Sequence, residues 1–356
     1  MNKQNQFSGC LFGGAIGDAL GYTVEFLNLP MIQNRFGENG ITDLVLNKET
    51  HKAIISDDTQ MTLFTADGLI WAYLRCSERG IGSYAGSGTY QSYLRWLYTQ
   101  TEYIKDRTWL EKQPHEVQNL IVKYDKSILE YKELFTHRAP GNTCLSSLKS
   151  GIMGTIEDPI NNSKGCGGVM RAAPVGLFLH RDPVVAFRLG AEIAAITHGH
   201  PSGYLSAGAF SAIIAELING KTILESAKSA MCILETYESD AETLSAMENA
   251  LELAAGSETT INAIEALGQG WVGEEALAIA LFCALRKTDV KEALIASVNH
   301  DGDSDSTGAI CGNMLGAAYG LNALPKEWVE NIELGQLLTD MSDKLFALSE
   351  YAFNNQ

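Results

Sequence analysis

The feature of this sequence that most restricts its fold is a series of helix start and stop signals in its second half. Asp182-Pro183 pairs a capping residue with proline at the first helical position and predicts a helix through about Ile196. Pro201-Ser202 predicts the next helix, which should end at Asn219-Gly220 because glycine readily adopts the left-handed conformation. The alanine- and leucine-rich stretch from Glu274 to Leu285 is also typical of a helix.

Apolar residues at helical spacing predict two further helices, one containing Leu224, Ala227, Met231 and Leu234, the other Leu244, Met247, Leu251 and Ala254, between an Asp240 cap and Gly256. Strand-like alternation is rare, and Ile41 to Leu46 is the best candidate. A dinucleotide-binding sheet fits poorly, because no strand–helix alternation carries its glycine fingerprint. We predict one all-α domain over residues 1–356, in which the polar stretch 75–138 is either an inserted helical subdomain or part of the same unit.

The charge balance restricts the partners. The chain carries 26 Lys and Arg against 43 Asp and Glu, a formal net charge of −17. A field of this sign repels phosphate backbones and anionic lipid, so it disfavours nucleic acid and membrane surfaces. It favours divalent cations, although an acidic soluble surface alone would also explain it.

The cysteines and the absence of targeting signals predict a cytoplasmic protein. Seven cysteines are spread along the chain without a C-x-x-C pair, so neither a disulfide framework nor a zinc ribbon fits. The first residues lack the pattern of a signal peptide. No apolar run reaches the roughly 18 residues that a membrane span needs.

Two neighbouring acids, Asp57 and Asp58, follow Ser56 and precede an apolar stretch. Adjacent carboxylates repel one another unless a positive charge lies nearby, and carboxylate and hydroxyl oxygens are the ligands that hard cations prefer. The motif equally fits an ordinary helix start, with Ser56 as the cap and the acids complementing the helix dipole. Taken alone, the motif favours the helix-start interpretation over a metal site.

A second acidic motif places Asp301, Asp303 and Asp305 at alternate positions among glycine and serine. It predicts either a loop whose oxygens converge on a cation or a solvated turn. It is not an EF-hand, because no glutamate stands twelve residues from the first aspartate. Residues 309–320 are small and apolar, as in a buried helix, and acids at the mouth of such a helix need a compensating charge. We therefore favour a metal site.

The two motifs together supply six oxygen donors, four of them anionic: Ser56, Asp57, Asp58, Asp303, Asp305 and Ser306. This number suits two magnesium-type ions better than one, since two hard ions about 3.5–4 Å apart can share a bridging water. The set contains no histidine or cysteine, which argues against zinc.

The third motif, Gly165-Cys166-Gly167-Gly168-Val169-Met170-Arg171, has three glycines in four positions. Such glycines can expose backbone N–H groups that cradle a phosphate, although a tight turn between helices has the same composition. The motif lacks the Gly-Lys-Ser/Thr of a nucleoside-triphosphate loop. Cys166 is either a nucleophile or, as we favour, a structural thiol.

Three single residues each have two interpretations. His198 lies at a predicted helix boundary, as a ligand or as a cap. Glu25 is a general base or a surface acid, and Trp271 stacks on a base or fills the core.

Taken in order, these motifs resemble the ADP-ribosylglycohydrolase family. The resemblance begins with Gly13-Gly14-Ala15-Ile16-Gly17-Asp18-Ala19-Leu20-Gly21, continues through Ser56-Asp57-Asp58-Thr59 and the Gly165 to Arg171 motif, and ends with Gly302-Asp303-Ser304-Asp305-Ser306. The family includes the glycohydrolase that reactivates dinitrogenase reductase, and the last motif resembles that of its arginine-directed branch.

The resemblance implies a compact, all-α orthogonal helical bundle in which the six donors hold two Mg²⁺ or Mn²⁺ ions. It implies that the pyrophosphate of ADP-ribose contacts the segment from Gly165 to Arg171, with Asn142-Thr143-Cys144 nearby. It also implies that His198 and Tyr204 contact the adenosine-side ribose and base, and that Trp271 borders the adenine pocket.

The implied reaction releases ADP-ribose from a modified protein side chain, with ADP-ribosyl-arginine as the first substrate. Metals would bind the ribose diol and polarise water, and Glu25, or a ligand such as Asp58 or Asp303, would assist its attack on the anomeric carbon. Two other functions stay open. One is a non-catalytic ADP-ribose binder; the other is an immunity protein that neutralises an ADP-ribosyltransferase toxin by hydrolysis or by blocking it.

Overall fold

The computed structural model describes residues 2–80, 85–101, 117–118, 122–124 and 127–354. Over these residues the chain is all-α, as predicted. The first eight helices are α1 (Lys3–Tyr22), α2 (Leu29–Phe36), α3 (Asp57–Arg79), α4 (Ala85–Thr101), α5 (Asn142–Ser150), α6 (Ala173–Phe178), α7 (Pro183–Ala195) and α8 (Pro201–Ile218). They are followed by α9 (Ile223–Leu234), α10 (Ala241–Ala255), α11 (Thr260–Leu267), α12 (Gly273–Arg286), α13 (Val290–Val298), α14 (Ser304–Tyr319), α15 (Lys326–Asn331) and α16 (Gly335–Asn354).

Extended pairing in the described residues amounts to one short antiparallel pair, Val117–Gln118 (β1) with Lys123–Tyr124 (β2), and isolated bridges. The predicted strand from Ile41 to Leu46 is wrong. Asn299 gives a physical reason, because its side chain accepts from the N–H of Ile41 at 2.8 Å and donates to the Ile41 carbonyl at 2.9 Å. One side chain therefore satisfies the backbone groups that a neighbouring strand would have bonded.

The helices predicted in the second half are confirmed within a residue or two. Pro183 and Pro201 stand at the first positions of α7 and α8, and Gly220 follows α8 with a φ of +92°. Asp240 precedes α10 as predicted, but its side chain makes no capping hydrogen bond.

Helix α8 forms the centre of the bundle. Almost all of its residues are buried, and α6, α7, α9 and α12 pack around it. No helix in the described part of the chain is long and apolar enough to cross a membrane.

Helices α1 and α14 touch through glycines spaced four residues apart. A Cβ added to Gly13 would lie 2.2 Å from the Gly312 carbonyl oxygen, and one added to Gly312 would lie 1.9 Å from that of Gly13. The same antiparallel contact joins Gly9 to Gly316 and Gly17 to Gly308. No side chain fits between these helices, so their backbones are in direct contact and the register of α1 on α14 is fixed.

The predicted insertion at 75–138 lies partly outside the described residues. Its described beginning is the end of α3 and helix α4, which packs against α3. Gly68 and Gly88 allow this approach, since a Cβ on Gly68 would come within 2.6 Å of the Thr89 Cα. Whether the whole stretch is an insertion stays a prediction.

Candidate active site

A cleft of about 210 Å³ opens where the end of α1 meets the starts of α3, α5 and α14. One set of lining residues, which we call the helix wall, lies at or near helix ends: Glu25, Asp57, Asp58, Asp303, Asp305 and Ser306. A second set, which we call the loop wall, comes from the connecting segments: Ala139, Gly141, Gly165, Cys166, Gly167 and Trp271. Asn142, Thr143, Cys144, Met170 and His198 complete the lining.

The helix wall brings the two acidic motifs together. Carboxylate oxygens of Glu25, Asp303 and Asp305 lie within 4.8 Å of one another, and all three residues are buried. The Ser306 hydroxyl donates to Oδ2 of Asp58 at 2.8 Å, which joins the motifs across 248 residues of sequence. The sequence analysis identified both motifs and named Glu25 as a candidate base of the same site, and the structure places Glu25 beside the second motif.

Burial and mutual repulsion raise the pKa of these acids. Burial, followed by the negative charge of Asp305, raises the pKa of Glu25 to about 9. The same causes hold the pKa of Asp57, Asp58 and Asp303 well above the usual range. Oε2 of Glu25 is buried without a hydrogen-bond partner. Such a cluster needs protons or a cation to compensate its charge, and its hard oxygen donors fit a divalent cation.

Asp18 supports the site from behind, although the sequence analysis quoted it only as part of the Gly13 to Gly21 motif and gave it no role. It is fully buried in α1, and its carboxylate accepts from the N–H of Ser56 at 2.9 Å and the N–H of Thr59 at 3.1 Å. Burial and then Asp305 raise its pKa to about 7. Asp18 therefore holds the start of α3, and with it Asp57 and Asp58, against α1. The signal in the sequence was its position directly after Gly17 in a glycine-rich, otherwise apolar segment.

Both acidic motifs lie at helix starts. The Ser56 hydroxyl accepts from the N–H of Asp58 at 3.1 Å and caps α3, as the capping interpretation predicts. The loop expected around the second motif is wrong from Asp303 onward, because Asp303 occupies the N-cap position of α14 and Asp305 lies in its first turn. The helix dipoles therefore point their positive ends at these acids. The Asp303 side chain makes no capping hydrogen bond, so its place at the N-cap position does not exclude ligation.

The Cys166 thiol donates to Oδ2 of Asp303 at 2.6 Å. Neither acidic motif contains a cysteine, but the fold brings this one from the third motif against Asp303. Burial and then Asp303 raise the pKa of this thiol well above its usual range. A protonated thiol is a poor nucleophile, which agrees with the structural interpretation of Cys166.

The glycine motif is less open than a phosphate cradle would be. Residues 166–168 form a turn of 3₁₀-helix, and the amides of Val169 and Met170 both donate to the Cys166 carbonyl, at 2.9 and 3.1 Å. Gly167 lines the cleft, whereas Gly168 faces α8, where an added Cβ would lie 2.8 Å from the Gly203 carbonyl oxygen. Two requirements thus explain the glycines: Gly167 leaves space in the cleft, and Gly168 allows the turn to pack closely against α8.

Arg171 is fully buried and does not line the cleft. It stacks over the ring of Tyr93 and donates to the Thr197 hydroxyl at 2.7 Å. That hydroxyl lies 2.8 Å from Nδ1 of His198. Since Thr197 accepts from Arg171, its own proton is available for Nδ1, which leaves the proton of the neutral imidazole on Nε2. Nε2 lies beside Gly165 at the cleft.

His198 stays neutral, because burial and then the charge of Arg171 lower its pKa to about 3. It therefore presents a neutral N–H donor to the cleft. Trp271 is 42% exposed at the mouth, and its carbonyl accepts from the Cys166 N–H at 3.2 Å. Tyr204, in α8, does not line the cleft.

Thirteen of the predicted site residues thus line one cleft, and five do not: Ser56, Gly168, Val169, Arg171 and Tyr204. Ala139 and Gly141 line it without having been predicted. Ala139 has a positive φ of +52°, and the Gly141 N–H donates to Asp57 Oδ2 at 3.3 Å. The sequence carries no clear sign of either residue, because their contacts arise only after the chain folds back on α3.

The family model described as "ADP-ribosylglycohydrolase" matches residues 1–354. The chain belongs to the ADP-ribosylglycohydrolase family. This confirms the resemblance of the sequence motifs, and it makes the chain a hydrolase of that family.

Two relatives and one solved structure show how far the similarity reaches. The ADP-ribosyl-[dinitrogen reductase] glycohydrolase of Rhodospirillum rubrum is 22% identical, over 92% of this chain and 90% of its own. The ADP-ribosylarginine hydrolase of Pseudomonas putida is 24% identical, over 95% and 77%. A solved "ADP-ribosylglycohydrolase-related protein complex" matches with a TM-score of 0.63 at 20% identity, over 98% and 99%. The structural likeness shows the fold.

Proposed function

We propose that this ADP-ribosylglycohydrolase is a magnesium-dependent enzyme that removes ADP-ribose from arginine side chains of modified proteins. The observation that carries the proposal is the buried cluster of Glu25, Asp303 and Asp305 at the base of an open cleft. Both relatives are named for ADP-ribosyl substrates, and one of the two is named for ADP-ribosylarginine.

The residues present fit a pair of hard cations. The unpartnered Oε2 of Glu25 and the raised pKa values of the neighbouring aspartates show negative charge that the fold leaves uncompensated. Asp57, Asp58, Asp303, Asp305 and Ser306 would hold two Mg²⁺ or Mn²⁺ ions, with Ser56 as the sixth donor. When bound, such ions polarise water and a ribose diol.

The loop wall and His198 would hold the rest of ADP-ribose. The Nε2–H of His198 is a neutral donor that suits a pyrophosphate or ribose oxygen, because it neither titrates nor repels. The indole of Trp271 offers an apolar face for the adenine. Gly165 and Gly167 leave room beside His198 for close approach.

The acids would position and deprotonate the attacking water. Burial and then the negative charge of Asp305 raise the pKa of Glu25 to about 9 in the absence of a cation. A bound cation would lower this pKa, so that Glu25 would be ionised near neutral pH and could accept a proton from the water. The water would attack the anomeric carbon through an oxocarbenium-like transition state, and the guanidine of the target arginine would leave. The seven free cysteines support a reducing, cytoplasmic location.

The test is hydrolysis of arginine-, serine- and DNA-linked ADP-ribose, each with and without magnesium. We expect release from the arginine linkage, only with the metal. Asp58→Asn and Asp303→Asn should abolish release while circular dichroism shows an intact fold, whereas Asp343→Asn on the exposed side of α16 should keep it. Wild-type turnover in both site variants would contradict the metal site.

The same experiment separates the alternatives. A non-catalytic ADP-ribose binder would bind free ADP-ribose but would not release ADP-ribose from any of the three linkages. A toxin-neutralising protein that acts by blocking would inhibit an ADP-ribosyltransferase even as the Asp303→Asn variant.

A further inference from the structure

A turn just before α12 connects the two walls of the cleft. It comprises residues 268–271, between α11 and α12, and we call it the Gln269 turn. The carbonyl of Gln269 accepts from the N–H of Asp303, the N-cap residue of α14, at 2.8 Å. The carbonyl of Trp271 accepts from the N–H of Cys166 at 3.2 Å. One short segment is thus bonded to an acid of the helix wall and to the glycine motif of the loop wall.

The Gln269 turn packs closely against the second acidic motif. A Cβ added to Gly302, which has a φ of +137°, would lie 2.0 Å from the Gln269 carbonyl oxygen. A Cβ added to Gly270 would lie 2.9 Å from Cγ2 of Thr307 and 3.4 Å from the Cβ of Asp303. A displacement of the turn would therefore be transmitted to the backbone of Asp303.

Glu275, in the first turn of α12, holds the Gln269 turn in place. Its Oε2 accepts from the N–H of Gln269 at 3.0 Å and from the N–H of Gly270 at 3.1 Å. Gly268 makes room for this carboxylate, because a Cβ there would lie 2.3 Å from Cδ of Glu275. The Gly270 N–H and the Gln269 carbonyl belong to one planar peptide group, so Glu275 and Asp303 are bonded to opposite sides of that group.

We propose that Glu275 is a positioning residue for both walls of the cleft: by fixing one peptide group, it sets Trp271 at the mouth and Asp303 at the cation site together. The inference rests on the proposed function, in which Asp303 binds a cation and Trp271 stacks on the adenine. Glu275 itself does not line the cleft. Its loss would therefore weaken the binding of the cation and of ADP-ribose, although it contacts neither ligand.

The test compares Glu275→Ala with Glu275→Gln in the full chain. Alanine removes the acceptor of both amides, whereas the amide oxygen of glutamine can replace Oε2 without its charge. Calorimetric titration of Glu275→Ala should show magnesium affinity about tenfold weaker and ADP-ribose affinity about fivefold weaker. Glu275→Gln should restore most of both affinities. Glu265→Ala is the matched control, because it removes an exposed carboxylate of α11 close to the turn in sequence, and it should change neither affinity.

Exchange of backbone amide protons, followed by NMR, gives a readout that depends on neither ligand. In the ligand-free protein, Glu275→Ala should accelerate exchange at Gln269 and Gly270 and also at Asp303, because the bonds of these amides are coupled through one peptide group. Glu275→Gln and Glu265→Ala should leave exchange at Asp303 close to that of the wild type.

Two results would overturn the proposal. One is an unchanged exchange rate at Asp303 in Glu275→Ala. The other is an equal loss of affinity in Glu275→Ala and Glu275→Gln, which would show that the carboxylate acts through its charge and not through the peptide group. If the wild type bound no magnesium or released no ADP-ribose from arginine, the proposed function would fail, while the exchange measurement would still decide the role of Glu275.

Discussion

The helix wall and the loop wall of the cleft are held in place by different kinds of contact. The acids of the helix wall stand at the ends of α1, α3 and α14, and α1 and α14 meet backbone to backbone through glycines. The loop wall depends on separate side-chain contacts, such as the Arg138–Glu333 ion pair and the pair of Lys164 with Glu274. The comparison teaches that the acidic cluster is positioned by backbone packing, whereas the loop wall is positioned by side-chain contacts that can be changed one at a time.

The largest expected effect comes from placing a methyl group in the glycine contact. Gly312→Ala should lower the free energy of unfolding by about 3 kcal/mol or more, because its Cβ would lie 1.9 Å from the Gly13 carbonyl oxygen and neither backbone can move freely. Gly141→Ala, on the loop wall, should change it by less than about 0.5 kcal/mol, since a Cβ there meets nothing within 4 Å. Urea denaturation measures both. Equal losses in the two variants would remove the distinction between the walls.

The second prediction concerns the charge that the helix wall concentrates. Glu25 has a pKa of 4.5 when unfolded and about 9 when folded, so the native state holds its proton more tightly. Its contribution to stability is full below pH 4.5 and is lost as the pH rises toward 9. Without metal, the melting temperature should fall by about 5 °C or more over this range.

Saturating magnesium should remove most of this fall in melting temperature, because a cation that binds only the native state stabilises the ionised cluster. Glu25→Gln should flatten the metal-free profile, since it deletes the group with the raised pKa. Melting followed by circular dichroism, in chelator and in magnesium, checks both statements. Identical profiles in the two solutions would count against cation binding.

A smaller effect is expected where the loop wall is anchored. The Arg138 carbonyl accepts from the Asp57 N–H at 3.0 Å, and its guanidinium pairs with Glu333 at 3.2 Å. Glu333→Gln should keep the fold but weaken magnesium binding by about tenfold. The change loosens Arg138, and the Arg138 carbonyl holds the backbone of Asp57, a proposed metal ligand. Glu330→Gln, which breaks only an exposed pair on α15, should leave the affinity unchanged. Calorimetric titration with magnesium distinguishes the two variants.

The smallest expected effect lies at the mouth of the cleft. Free ADP-ribose should bind in the micromolar range or tighter, about −8 kcal/mol. Trp271→Ala should weaken the binding of ADP-ribose about fivefold, because it removes an exposed aromatic face on which the adenine can stack. Tyr204→Phe should change it less than twofold, because that side chain does not line the cleft. A larger loss in Tyr204→Phe would return this residue to the binding site, where the family resemblance places it.

The sequence predicted local structure well because caps, prolines and apolar spacing act within one helix. It also predicted the acidic motifs, since adjacent carboxylates are visible in the chain itself. It did not predict the Cys166–Asp303 contact, which joins residues 137 positions apart, or the inward burial of Arg171. Nothing local distinguishes an arginine that binds phosphate from one that orients Thr197 and His198 from behind.

The strand predicted from Ile41 to Leu46 failed for a related reason. Apolar alternation indicates that a segment is half-buried, but it does not say which partner will satisfy the backbone. In this fold the partner is the side chain of Asn299, far along the chain.

The glycine contact between α1 and α14 also sets when the protein can acquire its function. Its two halves come from opposite ends of the polypeptide, so α1 leaves the ribosome long before its partner helix is made. Contacts between such distant segments slow folding, and the uncovered surface of α1 is meanwhile open to misassociation. The acidic cluster is therefore among the last parts of the molecule to assemble. A chain interrupted before α14 would contain most of the bundle but not the completed cluster.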